Sequence, residues 1–360
     1  MYLKASLAHL FFRIETFFRI KVPRYLYGKK NIKQLLSGST FPKLNKDSRI
    51  KILKKWGLMN YLKYRPFFQY YKLFAEGKPI ENYIPDIFMW NRIEPYYYDC
   101  LKAKYYDDKN LYDVYFGFDT VMPKTIIHIN NGFYLDGNYR RITRNDAINK
   151  CLAEGRIVIK PSVSSCGGRG IIFWDKNSND KQILEKSLNN KNIIVQAFVE
   201  QHEELSHFHP SSVNTIRMIS FAKDGNIKVL SSVLRMGSGG SCVDNVSSGG
   251  VFCGISGDGE LFPVAYNAAG NKFYRHPTTG AVFKGSRIPS YERCKKMVCD
   301  NAGKFCNVST IISWDVSVAP DGSPILIEFN LTFGGISSHQ ITRGPLFGDD
   351  TDSILLEVRG

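Results

Sequence analysis

Two carboxylates, an amide, a strand lysine and a glycine-rich loop are the residues of this chain whose types and spacing suit phosphoryl chemistry. Ser313-Trp314-Asp315-Val316-Ser317-Val318 and Ile325-Leu326-Ile327-Glu328-Phe329-Asn330 are short alternating runs joined by Ala319-Pro320-Asp321-Gly322-Ser323-Pro324. Proline fixes φ and glycine frees it, so the join is expected to be a turn and the pair a β-hairpin. With the turn at Pro320 to Ser323, Asp315 falls opposite Glu328. Directly opposed Cβ atoms lie about 4.5–5.5 Å apart, and like charges there repel unless something neutralises them. Asn330, two residues beyond Glu328, shares its face. Three hard oxygen donors suit Mg²⁺, which keeps several waters and takes the rest of its shell from substrate phosphates. Without a cation, removing one carboxylate is expected to relieve repulsion and stabilise the chain. The competing reading is a solvated hairpin with polar outer residues.

Ile157-Val158-Ile159-Lys160-Pro161 is a buried-strand pattern that carries a lysine, and an unpaired buried ammonium is costly, so Lys160 needs an anion. Ser164-Ser165-Cys166-Gly167-Gly168-Arg169-Gly170 follows, a loop whose backbone can approach phosphate oxygens. A lysine and such a flap would grip a polyphosphate from two sides. The segment is neither a P-loop nor a G-x-G-x-x-G turn.

These groups need elements to position them. From residue 5 to about 110 the pattern is mostly helical, broken at Pro23, Ser37-Gly38-Ser39, Gly77-Lys78-Pro79 and Pro85. Beyond about 120, β-like runs alternate with turn residues: Thr125–Ile129, Ile157–Lys160, Ile171–Trp174, Ile193–Val199, Thr215–Phe221, Lys228–Leu234 and Val251–Ile255. Asn145–Glu154 and Asp180–Leu188 are the expected helices of an α+β unit.

The 360 residues suggest more than one packed lobe. No apolar run reaches the roughly 18 residues of a spanning helix. Lys4, Arg13, Glu15 and Arg19 interrupt the first apolar stretch, and no small-residue cleavage site follows, which argues against a signal peptide and for the cytoplasm. Eight cysteines without a C-x-x-C pair indicate neither zinc nor a disulfide framework. The net charge of +15 resides in residues 1–80, where 18 Lys and Arg face only Glu15, Asp47 and Glu76. Aromatics mix there with Leu and Ile at helical spacing, as on a surface that lies against the inner face of an anionic membrane; nucleic acid is the less favoured partner. The alternative is a helical subdomain packed on the rest of the protein. His202, His207 and His209 lack a carboxylate or cysteine at ligand spacing, and Cys166 lacks an identifiable base.

Lys160 in Ile-Lys-Pro, the Ser/Gly loop, Val195-Gln196-Ala197-Phe198-Val199 and Asp315-x12-Glu328-x-Asn330 follow the order seen in ATP-grasp enzymes. With Pro210-Ser211-Ser212-Val213-Asn214-Thr215-Ile216-Arg217 and Val243-Asp244-Asn245 running to Gly249-Gly250, the chain resembles the sugar-transfer associated branch found with surface-polysaccharide genes, over about residues 120–350. The resemblance implies an α+β ATP-grasp fold of two lobes gripping ATP: residues 121–200 as the small lobe with phosphate loop and adenine hinge, and 201–360 as the large lobe with the Mg²⁺ hairpin. A basic, mainly helical region, 1–120, precedes them. It further implies that Lys124 and Lys160 bind the inner phosphates with Ser165, Gly167 and Gly168. Gln196, Ala197, Phe198 and Val199 would line the adenine, and Glu204, with Glu203 as the competing choice, the ribose. Asp315, Glu328 and Asn330 would hold Mg²⁺. Arg217 would face the γ-phosphate, with Arg235 and Asn245 near the acceptor. The implied activity is an ATP-dependent ligase that joins a carboxylate, a sugar acid or an amino acid, to an amine or other nucleophile through an acyl phosphate. A kinase acting on a hydroxyl shares the same grip, and a membrane-binding protein without catalysis is the third class.

Overall fold

A computed structural model describes residues 42–117, 120–163, 168–177, 180–246, 249–332 and 334–359, together with Leu26. Most of the basic first forty residues, and Ser165 and Gly167 of the phosphate loop, lie outside the described residues. The described chain forms two compact units, one of residues up to Tyr98 together with those from Gly334 onward, the other from Asp99 to Thr332.

The first unit is helical. Helix α1, Lys46–Lys72, starts where Asn45 accepts a 2.8 Å hydrogen bond from the Ser48 amide, and it kinks at Gly57, whose φ of 77° a residue with a Cβ rarely adopts. Its buried side is aromatic: Trp56, Tyr61, Tyr64, Phe67, Phe68, Tyr70 and Tyr71. The rings meet edge to face, with Trp56 4.9 Å from Phe88 and 5.5 Å from Phe68, the arrangement their quadrupoles favour. Gln340, from the later helix Ser337–Arg343, donates to and accepts from the Ile84 backbone at 2.8 and 2.9 Å.

The second unit carries two antiparallel sheets. The smaller holds β1 (Thr125–Asn130), β2 (Phe133–Asp136), β3 (Arg156–Pro161), β4 (Ile172–Asp175) and β5 (Ile193–Ala197) in the order β2-β1-β5-β3-β4. Helix α2, Arg144–Glu154, opens with a capping box between Thr143 and Asp146 and packs on β1. Together they close a core of Ile127, Ile129, Ile148, Ile157, Ile159 and Val195. Helix α3, Lys181–Ser187, adds Leu184.

The larger sheet comprises β6 (Thr215–Lys223), β7 (Asn226–Met236), β8 (Val251–Ile255), β9 (Leu261–Asn267), β10 (Lys272–Phe273), β11 (Ile311–Val318) and β12 (Pro324–Asn330), ordered β10-β9-β8-β7-β6-β11-β12. Helix α4, Tyr291–Gly303, packs on β6 and β7. The expected strands are present within about two residues at each end. Three strands, β2, β9 and β10, lie outside the expected set: β2 and β10 are short, and Pro263 interrupts the apolar run of β9. Among the described residues no helix is long and apolar enough to cross a membrane.

Candidate functional site

The β11–β12 hairpin sets Asp315 opposite Glu328 and Ser313 opposite Asn330. The register shifts between Asp315 and Val316, because Val316 pairs with Leu326 and leaves Ile327 as an extra residue. That β-bulge lies between the turn and the carboxylates. On the other side of β11, Asp315 pairs with Arg217 of β6. Arg217, Asp315 and Glu328 therefore form a row across three strands, while Trp314, on the alternate face, is fully buried with its indole N–H donating to Ser220 Oγ at 2.8 Å.

Arg217 grips Asp315 with a two-pronged hydrogen bond, Nε to Oδ1 at 2.5 Å and Nη2 to Oδ2 at 2.8 Å. Arg235 sits on β7 opposite Thr215, a diagonal neighbour of Arg217, and its Nη1 reaches Asp315 Oδ1 at 3.2 Å. Its Nη2 donates to Asp244 Oδ1 at 2.9 Å and to Asn245 Oδ1 at 3.4 Å. Thr215 Oγ1 donates to the second oxygen of Asp244. Burial alone would lower the Arg235 pKa, but the Asp244 and Asp315 carboxylates raise it. Burial likewise raises Asp244, against the pull of Arg235.

The opposed carboxylates are thus already compensated by side chains of the protein itself. Glu328 Oε1 takes the Lys109 ammonium at 2.9 Å. This corrects the expectation that their repulsion calls for a metal and that removing one would stabilise the chain. Lys109 had no distinguishing pattern in the sequence beyond the Asp107-Asp108 before it; Asp108 Oδ1 accepts from the Asn110 amide at 3.0 Å and closes the turn that presents the lysine.

Lys160 Nζ donates to Gln196 Oε1 at 3.0 Å, and Gln196 Nε2 donates to the Pro123 carbonyl. Burial lowers the Lys160 pKa to about 8; Glu328 opposes that shift and Lys109 adds to it. Lys160, Lys109 and Glu328 therefore share one electrostatic neighbourhood, facing the Arg217–Asp315 pair. Gly168 closes on it from the loop: its φ is 71°, and a Cβ there would lie 2.6 Å from Asn245 Nδ2. A Cβ on Gly250 would lie 2.8 Å from the carbonyls of both Asp244 and Asn245, so this glycine lets the chain entering β8 pass close against the segment.

Not every expected residue joins the cluster. Lys124 is 71% exposed and salt-bridged to Glu154 at 2.7 Å. Its carbonyl, though, accepts from the Ala197 amide and so helps fix the end of β5. Beyond it, Phe198 lies under the Arg156 guanidinium at 4.2 Å, and Val199 is partly exposed. Glu204 is exposed on a single helical turn that His202 Nδ1 caps by accepting from its amide. His209 is buried against Ser212, so His202, His207 and His209 do not converge.

Among the described residues no group of three or more His, Cys, Asp and Glu is placed to hold a metal. The candidate set is two carboxylates and an amide, all oxygen donors, which is the donor chemistry of Mg²⁺. Glu328, with 28% of its side chain exposed, is the most open of the carboxylates in the row.

A model of the sugar-transfer associated ATP-grasp family matches residues 89–351. Comparison with curated proteins gave no match. Among solved structures, the chain is similar to an N5-carboxyaminoimidazole synthase from Aspergillus clavatus (8% identity, TM-score 0.41, covering 66% of this chain and 47% of that one). It is also similar to an L-amino acid ligase from Bacillus licheniformis (15%, 0.36, 64% and 41%) and to the D-cycloserine synthetase DcsG (14%, 0.42, 71% and 71%). The chain spans less than half the length of the first two. The family match takes in both sheets, the hairpin and every residue of the charged row, and by it the chain belongs to the sugar-transfer associated ATP-grasp family.

Proposed function

We propose that the protein is an ATP-dependent, ADP-forming ligase that activates a carboxylate for attack by an amine or another nucleophile. The observation that carries this reading is the convergence of Lys109, Lys160, Arg217 and Arg235 on the Asp315–Glu328 pair, four cations around one carboxylate row. Lys160 and Lys109 would hold the inner phosphates, with Gly168 beside them. Gln196, Ala197, Phe198 and Val199 at the end of β5 would line the adenine. Asp315, Glu328 and Asn330 would hold Mg²⁺, which when bound would supply neutralisation of phosphate charge.

Arg217 would orient the substrate carboxylate and stabilise negative charge on the phosphoryl group. A carboxylate oxygen forms a bond to the γ-phosphorus as the bond to the β-phosphate oxygen breaks, leaving ADP and an acyl phosphate. The nucleophile then attacks the acyl carbon, loses its proton and expels inorganic phosphate. The substrate is a sugar acid, or an amino acid bound for a sugar, in surface-polysaccharide biosynthesis, a reading in keeping with a family described as sugar-transfer associated. ATP consumption screened against carboxylate and amine pairs, with hydroxylamine present, tests this: a hydroxamate and ADP are expected. AMP with pyrophosphate would refute it, and a stable phosphorylated alcohol would make the protein a kinase.

A second observation favours peripheral docking on an anionic membrane. On α1, the adjacent Leu58 and Met59 are 61% and 79% exposed and Leu62, one turn on, is 58% exposed, with Lys54, Lys63 and Arg65 exposed around them. Large apolar side chains ringed by cations suit a headgroup layer. Co-sedimentation with phosphatidylglycerol vesicles should exceed that with phosphatidylcholine and should fall when all three are changed to Gln. Equal recovery on both vesicle types would overturn this reading.

A further inference from the structure

The turn that carries Lys109 is fixed from the small sheet by a buried amide and imidazole. Asn110 is fully buried, and its Nδ2 donates to the Ile129 carbonyl and to Asn130 Oδ1. With its nitrogen so committed, its oxygen is the acceptor, and it lies 3.0 Å from Nδ1 of His128, which is also fully buried. His128 Nδ1 therefore carries the proton. His128 alternates with the core residues Ile127 and Ile129, so its ring stands on the opposite face of β1. Tyr139 stacks on that ring at 4.3 Å and 12°, and its hydroxyl donates to the Asn110 carbonyl at 2.7 Å. The Lys109 amide is pinned in turn by the Ser162 carbonyl at 2.8 Å, just beyond Lys160.

We infer that His128, Asn110 and Tyr139 are positioning residues that hold Lys109 in register with Glu328 and Lys160, and so set the affinity of the phosphate grip. This rests on the nucleotide-site reading above. A polar trio buried behind a β-strand would be replaceable by apolar packing if it served stability alone. Here all its hydrogen bonds end on one turn, and that turn's one long cation reaches the hairpin carboxylate.

The test is the dissociation constant for a non-hydrolysable ATP analogue with Mg²⁺, measured calorimetrically on the full chain beside the melting temperature. Lys109→Gln probes the site itself. Tyr139→Phe keeps the stack and loses the donor; His128→Leu loses the Nδ1 proton. His128→Asn places an amide N–H where Nδ1 was. Weakening of about tenfold in Lys109→Gln, Tyr139→Phe and His128→Leu, with recovery in His128→Asn, is expected. Weakening in Lys109→Gln alone overturns the inference and leaves the site reading standing. Parental affinity in Lys109→Gln overturns the site reading instead. Loss that tracks melting temperature, without recovery in His128→Asn, also overturns the inference, because packing then explains it.

Discussion

Asp86 in the helical unit and Asp315 in the large sheet are both buried, at 6% and 4% exposure, yet their surroundings are opposite in kind. Asp86 is met by two hydroxyls and no described cation: Tyr71 Oη donates to one oxygen at 2.6 Å and Ser337 Oγ to the other at 2.6 Å. Burial raises its pKa, and the two hydrogen bonds only partly offset that. Asp315 is met by two guanidiniums and lies beside a second carboxylate that has its own lysine. One carboxyl ties aromatic helices together; the other is part of a charge array far denser than packing needs. Burial is common to both acids, and the supply of opposing charge is what separates them.

The comparison breaks first at Glu328. Glu328→Gln should lower turnover by about a hundredfold or more while costing less stability than Asp315→Asn, since the position is partly exposed and an amide oxygen can still accept from Lys109. Turnover within twofold of the parent, with normal Mg²⁺ dependence, would mean that the array is structural like Asp86. Asp315→Asn should both abolish turnover and destabilise, by about 3–5 kcal/mol, because it takes the carboxylate from the two-pronged Arg217 grip and leaves Arg235 to Asp244. Chemical denaturation gives the number, and a more stable variant would show that the guanidiniums find other partners.

Lys160 sharpens the same contrast through pH. Its pKa is lowered from 10.5 to about 8, so the folded chain holds that proton less tightly than the unfolded one. Its contribution to stability is unfavourable below about 8 and improves as pH rises toward 10.5. ATP-analogue affinity should run the other way, falling by about tenfold above pH 8 as the ammonium is lost. In Lys160→Arg that step should vanish; a parental pH profile in this variant would assign the titration elsewhere.

Asp86→Asn should have the smallest effect, within about 1 kcal/mol at neutral pH. For a carboxyl with a raised folded pKa, stability is undiminished below the ordinary carboxylate range and declines as pH climbs toward the raised value. The Asn variant should lose that slope, which urea midpoints at pH 4 and pH 7 would show.

The hairpin was legible because alternation and a Pro-Asp-Gly turn are local signals, and the α+β class followed from strand-like runs between turn residues. The partners of Asp315 were not legible. Arg217 and Arg235 stood out as functional residues, but their shared grip on one carboxylate depends on a cross-strand diagonal between β6, β7 and β11 that no linear spacing reveals. Lys109 was not legible for a similar reason. Lys109 and Lys124 both precede β1, and it takes contacts such as the buried Asn110–His128 pair to turn Lys109 toward Glu328 while Lys124 turns toward Glu154.

The extra residue at Ile327 also separates two timetables of change. In an unbroken ladder, one residue gained or lost at the hairpin turn would swap the faces of the whole second strand. With a bulge between turn and carboxylates, a shortened strand can instead drop the bulge and keep Asp315 facing Glu328. The turn is thereby open to single-residue length drift during evolution, while the row it serves stays in step with β6.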